Sequence, residues 1–598
     1  MEFQVLDVDY VIVNEKPVLR VFGKDMKGES VCGFYEGFLP YFYAVGDDIE
    51  GKLEGNPHVL KTETVKRTLP MGYQQPRDVC KVTLKNPAKT VEVREALRAM
   101  GVTPYEADIM FKYRWMNDLG LGGMKWIRTE ETNGITTDSV SSGRKVMLRD
   151  FSVVEKYEDA PLKCLSFDIE TVGDDGVMPD EEKDPVVLIS MVFDPDYRGR
   201  KSLVLSTRSG SGVDACADEK GMLERFMSII NEYDADVLTG FNIINYDMPY
   251  ILKRMEKNKL RPVFGRCKSK SIRDDVFANR HRINITGRIL ADSFQLIKRD
   301  WNLKRYGLDF VAKELIGEEK KDVKKSEIGK FWRGTQDEFA RLVEYCLHDS
   351  LLAMKLLKHL SLMDKYVALA KISGCLLSEI LDGGETQRIE NYFLSEFNRE
   401  GYIIPTKVNG ERRADGDGEE EKDLKGGFVI EPKKGIHSMV LVLDFKSMYP
   451  SLIRTFNICP TTLLLGDENV GSITVPSGSR FVKKEVKHGI VPRILENLMK
   501  ERAKVKKEMK NADSHVKKAL DMKQLAMKVM ANALYGYFGY HRAKIHSIAI
   551  ASSVTALGRQ TIHDTVKAME EEFGYEVVYG DTDSVMIKVP TDSLEEAE

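Results

Sequence analysis

The sequence has no apolar run long enough to cross a bilayer, and its first residues, MEFQVLDVDY, do not read as a signal peptide. The expectation is a cytoplasmic protein with no membrane partner. No Cys-x-x-Cys pair occurs among the eight cysteines, which are scattered at Cys32, Cys80, Cys164, Cys216, Cys267, Cys346, Cys375 and Cys459. That excludes a zinc ribbon or a disulfide framework as an organising device, and most of these residues read as small buried hydrophobes. Internal repeats are absent. So is a strong charge of either sign: the net charge is −4 over 598 residues, which does not announce a nucleic-acid binder.

What is present is an ordinary globular composition, 42% hydrophobic and 30% charged, in a chain too long for one core. Charge is uneven along it. From Arg493 to Lys528 lysine and arginine dominate, and a local basic patch of that kind suits phosphate binding or a solvated helical hairpin. Short apolar strands separated by turns fill the first ~155 residues and predict a mixed, strand-rich domain. Buried-strand and amphipathic-helix patterns then alternate from Leu162 to about residue 360, as in an α/β unit. Residues 410–425, GERRADGDGEEEKDLK, have almost nothing to bury and read as a surface loop. A second strand-rich region, two long helical stretches and a strand hairpin follow.

Two groups of residues carry chemistry. In CLSFDIET, strand alternation sends Leu165, Phe167 and Ile169 to one face and Asp168 and Glu170 to the other. Two carboxylates on one face of a buried strand call for a cation between them, and hard oxygen donors suit Mg²⁺ or Mn²⁺. TGFNIINYDMPYI brings Asn242, Tyr246 and Asp247 to a strand-to-helix junction. In LVEYCLHDSLLAMKLL, Tyr345 and Asp349 stand one helical turn apart. The order Asp-x-Glu, Asn-x-x-x-Tyr-Asp, Tyr-x-x-x-Asp resembles the three motifs of DnaQ-like 3′–5′ exonucleases on an RNase H-like fold. By that resemblance Asp168, Glu170, Asp247 and Asp349 hold two divalent metals and Tyr345 positions the attacking water, while His348 has no role.

Downstream, LVLDFKSMYPSLI puts Asp444 at a strand end, Tyr449 beside it and Pro450 in the first turn of a helix. Arg502 and Lys506 share a face of the first long helix; Lys528, Asn532 and Tyr535 share a stripe of the second. Asp581 and Asp583 sit at the turn of the closing hairpin, between VVYG and SVMI. These segments resemble motifs A, B and C of family B DNA polymerases, in the family's order and behind its exonuclease motifs. The resemblance implies that Asp444 and Asp583 bind two Mg²⁺ ions with Asp581 adjacent. It also implies that Arg502, Lys506 and Lys528 meet the incoming triphosphate with Asn532 nearby, that Tyr449 excludes a 2′-hydroxyl and that Tyr535 packs at the nascent base pair. Gly426 and Gly427 match the glycines of the family's Tyr-x-Gly-Gly junction, whose tyrosine is replaced here by Leu424.

The resemblance sets out an α+β to α/β multidomain chain. It has a mixed β N-terminal domain over 1–157 with a returning segment near 361–402, and an RNase H-like 3′–5′ exonuclease domain over 158–360. A palm over 403–490 and 541–598 then flanks helical fingers over 491–540. LDVDYV and YFYA look like archaeal members. The thumb that follows the palm in the family is not found, so a split polymerase is expected, whose small subunit supplies the thumb and, through it, contact with a sliding clamp; the alternative is a truncated piece of a single-chain family B polymerase. On this reading the last strand, VMIKV, is an unfinished edge of the palm sheet. Substrates are then primer–template DNA and dNTPs, and the location is cytoplasmic and nucleoid-associated. Acids at 444, 581 and 583 argue against a nuclease with a degenerate polymerase half or a non-catalytic scaffold. The short run from Asp444 to Lys528 argues against a protein-primed enzyme.

Overall fold

A computed structural model describes residues 1–130, 137–174, 177–277, 280–319, 323, 327–407, 426–591, 593 and 595. The charged loop expected at 410–425 lies outside the described residues. The chain forms two compact units: one comprises Met1–Phe38 with Asp118–Gly384, the other Leu39–Asn117 with Glu385–Glu598. The stretch read as one N-terminal domain, 1–157, therefore contributes a sheet to each.

The first unit holds two six-stranded sheets. One is built from N-terminal strands around Glu2–Val13 and Lys16–Lys24. The other contains β1 (Cys164–Thr171), β2 (Val186–Tyr197), β3 (Arg200–Ser206), β4 (Asp214–Ala215), β5 (Val237–Gly240) and β6 (Ile289–Asp292). Its order is β4-β3-β2-β1-β5-β6. β1, β2 and β3 form an antiparallel meander, whereas β5 runs parallel to β1 and β6 parallel to β5. The alternation in β1 works as its sequence implies. Leu165, Phe167 and Ile169 enter a core with Met222, Phe226 and Ile230 of helix α1 (Glu219–Tyr233).

The other face of β1 meets a long helix. Helices α2 (Asp247–Lys257) and α3 (Ser293–Asp300) follow β5 and β6, and α4 spans Gln336–His359. Thr335 and Glu338 close a capping box at its start, satisfying helix N–H groups reciprocally. Small hydroxyls then fix α4 on the sheet. Ser166 Oγ donates to the Ser350 carbonyl at 2.9 Å, and Ser190 Oγ to the Cys346 carbonyl at 2.8 Å. The Ser190 and Ser350 hydroxyls are 2.6 Å apart. A buried ion network ties this sheet to the N-terminal one: Lys24 Nζ and Arg266 Nη2 reach the two oxygens of Asp236, at 2.8 and 2.5 Å, just before β5. Every one of those side chains is withdrawn from water, so removing one partner would strand a charge.

The second unit contains a four-stranded sheet over residues 41–105 and a second one made of β7 (Val429–Ile430), β8 (Val440–Asp444), β9 (Glu576–Asp581) and β10 (Ser584–Lys588). The latter is ordered β7-β9-β10-β8 and antiparallel throughout. One expectation is overturned here. β10, the strand read as an unfinished edge, is interior: Met586 pairs with Tyr579 of β9 on one side and Val442 of β8 on the other. The edges are β7 and β8. The error has a physical source: adjacency in sequence fixes only one neighbour of a strand, and β8 returns from far upstream to supply the second.

Helices α5 (Met448–Thr455) and α8 (Ile548–Lys567) pack on this sheet, burying Met448 and Ile562 against Val577, Val585 and Ile587. Between them α6 (Ile490–Met509) and α7 (Ser514–Gly539) form the helical hairpin anticipated from the basic stretch. Among the described residues no helix is long and apolar enough to cross a membrane.

Candidate active sites

The first site grows out of the free flank of β1. β5 pairs with β1 only from Cys164 to Ser166, so the N–H of Ile169 on that side has no strand to bond. Asp247, the first residue of α2, takes it: its Oδ1 accepts from Ile169 N at 3.1 Å. The chain can turn this tightly because residue 240 is glycine. A Cβ there would lie 2.6 Å from the Phe167 carbonyl oxygen and still closer to Ile243. Asn242 follows in the left-handed region, φ 69°, which asparagine tolerates better than most residues.

The sequence reading missed the group that holds this turn. Asp292, at the end of β6, caps α3 through Phe294 N at 3.0 Å and also accepts from Asn242 N at 2.8 Å and Ile244 N at 3.1 Å. The visible signal was a cap pattern, an apolar strand ending in Asp-Ser before a helix; the second task of that carboxylate has no local signature.

Asp168 and Glu170 project from β1 towards α4, which presents Tyr345, Cys346 and Asp349. Glu170, Asp247 and Asp349 retain only 6, 3 and 6% of their exposure. Carboxylates so buried resist ionisation. Burial pushes Asp247 up to about 7, with Asp292 and Asp349 adding repulsion, and burial pushes Asp292 up to about 6. The Tyr345 phenol is raised by burial and then by Asp349, Glu170 and Asp168. The five residues proposed from sequence for this site thus act on one another. Cys346, read from the sequence as a small buried hydrophobe, is buried and borders these acids. Its Sγ lies 3.7 Å from Asp168 Oδ2, and Asp168, Glu170 and Cys346 each offer a ligand atom within 4.8 Å of the other two.

The second site has a different build. Asp444 ends β8 opposite Ser584, and the next N–H, Phe445, donates to the Asp583 carbonyl at 2.8 Å. Asp581 ends β9. Thr582 turns the hairpin at φ 54°, and its hydroxyl donates to Asp581 Oδ1 at 2.8 Å. Asp583 is raised by its partial burial, then by Asp444 and, more weakly, Asp581, so the three acids share one locality. Asp444 and Asp581 are exposed.

The expected glycine junction packs directly on this turn. Thr582 N donates to the Phe428 carbonyl at 2.9 Å, and a Cβ on Gly427 would meet Thr582 Oγ1 at 2.8 Å. Two residues of α8, absent from the sequence reading, hold the junction from behind: Arg559 donates to the Gly426 carbonyl at 2.9 Å, and the His563 ring lies 4.1 Å from that of Phe428.

Tyr449, in the first turn of α5, is raised by burial and then by Asp583. Its ring lies on that of Tyr535 from α7, centroids 4.5 Å apart and planes 33° from parallel. Gly558 of α8 leaves room for it, since a Cβ there would come within 2.9 Å of the Tyr449 ring. Asn532 and Tyr535 line a cleft of about 550 Å³ with Thr386, Ile389 and Tyr540. Arg502 is engaged across the hairpin, donating to Gln524 Oε1 at 3.1 Å, while Lys506 and Lys528 are exposed. The structure therefore brings together the acids and both tyrosines, and leaves the cations on the hairpin helices.

Two family models match separate stretches of this chain. Residues 102–311 match the family described as DNA polymerase family B, exonuclease domain, and residues 375–598 match DNA polymerase family B. The chain is 32% identical over 694 residues to a DNA polymerase delta catalytic subunit of Mesocricetus auratus. It is 31% identical over 682 residues to the corresponding subunit of Oryza sativa subsp. japonica. Each alignment covers 100% of this chain and 61% of the relative, so the chain spans about three fifths of their length. Among solved structures, the family B DNA polymerase from the hyperthermophilic archaeon Pyrobaculum calidifontis superposes with a TM-score of 0.82 at 29% identity, over 100% of this chain and 76% of that one.

Proposed function

We propose that the chain is a member of DNA polymerase family B, on its matches to that family's exonuclease and polymerase domains, and that it extends a primer on a DNA template and trims mispaired 3′ ends. The observation that carries the reading is the convergence of Asp444, Asp581 and Asp583 beside the stacked Tyr449–Tyr535 pair. Hard carboxylate oxygens fit Mg²⁺ or Mn²⁺, with Asp444 and Asp583 the ligands for extension and Asp168, Glu170, Asp247 and Asp349 those for trimming. Two such ions per site would neutralise phosphate charge and favour the ionised form of the attacking oxygen.

The protein's own share is positioning. In extension, the primer 3′-oxygen gives up its proton and attacks the α-phosphate in line; the bond to pyrophosphate breaks. Arg502, Lys506 and Lys528 bind the triphosphate as the helical hairpin closes over it, with Asn532 near, and offset charge on the departing group. Tyr449 lies under the sugar and leaves no room for a 2′-hydroxyl, while Tyr535 bears on the new base pair. Gly426 and Gly427 carry the junction segment along the template duplex. In trimming, Tyr345 orients the water that attacks the terminal phosphodiester, and the 3′-oxygen departs. Duplex grip is by phosphate contact, hence salt-dependent and independent of sequence.

The relatives are described as catalytic subunits, which supports accessory partners. We extend this to a small accessory subunit that links the enzyme to a sliding clamp, in a nucleoid-associated, cytoplasmic setting. Adding that subunit should raise extension by this chain; unchanged extension would remove it from the reading.

The central test uses a 3′-mismatched primer with and without dNTPs. Asp444→Ala should lower extension by on the order of 10³-fold and spare trimming, and Asp168→Ala should do the reverse. Extension that survives Asp444→Ala would end the polymerase reading; trimming that survives Asp168→Ala would end the exonuclease reading.

A further inference from the structure

The thiol of Cys346 has no part in hard-metal chemistry, yet it stands at ligand distance from two of the trimming acids. Its Sγ is 3.7 Å from Asp168 Oδ2, and single ligand atoms of Asp168, Glu170 and Cys346 all fall within 4.8 Å of one another. Tetrahedral zinc, with Zn–S of about 2.3 Å and Zn–O of about 2.1 Å, separates its sulfur and oxygen ligands by about 3.6 Å. The Cys346–Asp168 spacing is already close to that value, and Glu170 lies within reach of both. Nor is the sulfur loosely held. The Cys346 carbonyl accepts from Ser190 Oγ at 2.8 Å, and one turn later Ser350 is bound to the same serine and to Ser166. The helix that carries the thiol is thus fastened to the strands beside the acids, so the three donors are held together before any ion arrives.

A thiolate changes which ions such a site prefers. Mg²⁺ and Mn²⁺ favour oxygen, whereas a sulfur donor selects softer ions. We propose that Asp168, Glu170 and Cys346 form a mixed carboxylate–thiolate site for a thiophilic divalent cation, Zn²⁺ or Cd²⁺, and that such an ion arrests trimming by occupying the place of the hard ions. The proposal rests on the reading of Asp168 and Glu170 as trimming residues. In binding, the sulfur–hydrogen bond is exchanged for a sulfur–metal bond and the proton passes to solvent; no electron is transferred. Extension, whose acids have no cysteine beside them among the described residues, is spared at the same ion concentration. The enzyme would then extend without proofreading when thiophilic ions rise.

The test is titration of the metal-free full chain with Cd²⁺, reading the ultraviolet sulfur-to-cadmium charge-transfer band. Wild type should give a saturable band at one equivalent. In Cys346→Ser that band should be lost and Cd²⁺ should bind at least about tenfold more weakly, with Mg²⁺-dependent trimming kept and its inhibition by Zn²⁺ relieved. Cys346→Ala gives the same comparison if the serine variant melts early. Absence of the band in wild type, or an equal band in both cysteine variants, overturns the proposal. Asp168→Ala separates the two levels. If it abolishes Mg²⁺-dependent trimming but leaves the band intact, the shared site is wrong and the exonuclease reading stands. If trimming persists in Asp168→Ala, the exonuclease reading itself fails, whatever the band does.

Discussion

The two acid clusters of this chain are built on opposite plans. In the first unit, Glu170, Asp247 and Asp349 are almost wholly buried between a sheet and α4, and even a backbone N–H is assigned to Asp247. In the second, Asp444 and Asp581 are exposed at the ends of strands, and the turn between Asp581 and Asp583 rests on a glycine segment. Burying carboxylates close to one another is expensive, so the first cluster stores repulsion that a cation relieves. The second keeps Asp444 and Asp581 hydrated at little cost, and the cations Lys506 and Lys528 stand apart on α6 and α7. On the proposed function, a trimming site of the first kind is complete before substrate arrives, and an extension site of the second kind has to be assembled around it.

That contrast can be broken at several points. The largest effect is expected from Gly427→Val. Its side chain would push on Thr582 and displace the acid turn, lowering extension by about 10²-fold with trimming unchanged. Single-turnover extension and trimming on one substrate would show it, and equal extension by the variant would mean that the junction does not hold the turn.

Next in size is Tyr449→Ala. Removing a ring that packs between Gly558 and Tyr535 should raise the ratio of ribonucleotide to deoxyribonucleotide kcat/KM by about tenfold or more. A ratio that stays the same would take sugar discrimination away from this residue.

The smallest effect distinguishes the clusters by pH. Burial pushes Asp247 up to about 7 and Asp292 up to about 6 in the folded protein, against an ordinary aspartate value of 3.8. Between about pH 4 and about pH 7 the folded state holds protons that the unfolded chain has released, so metal-free stability falls as pH rises through that window. Thermal melts of the metal-free protein should therefore move down from pH 5 to pH 7.5. The slope should shrink in Asp247→Asn, and Mg²⁺ should recover the loss at the upper pH. A melting temperature independent of pH across this range would show that the buried cluster carries no such strain.

Much of the site was legible because strands and helices impose simple periods. Two-residue alternation separates Asp168 and Glu170 from Phe167 and Ile169, and four-residue spacing aligns Tyr345 with Asp349. Asp292, Cys346, Gln524, Arg559 and His563 were not legible. Each acts across a gap of sequence, through a hydrogen bond, a sulfur contact or a ring face, and nothing in its own neighbourhood marks that distant partner. The same holds for β10, whose second neighbour β8 is supplied from far upstream.

The sequence by itself therefore determined the chemistry on offer: which segments carry carboxylates, at what spacing, on strand ends or helix turns, and in what order along the chain. Local periodicity is a property of the backbone and survives without knowledge of the fold. Only the tertiary structure decided the environment of each acid: which are sealed from water, which stand open, and which non-acidic neighbours reach them. Burial and long-range contact depend on how distant segments pack, and that information is written in no single stretch.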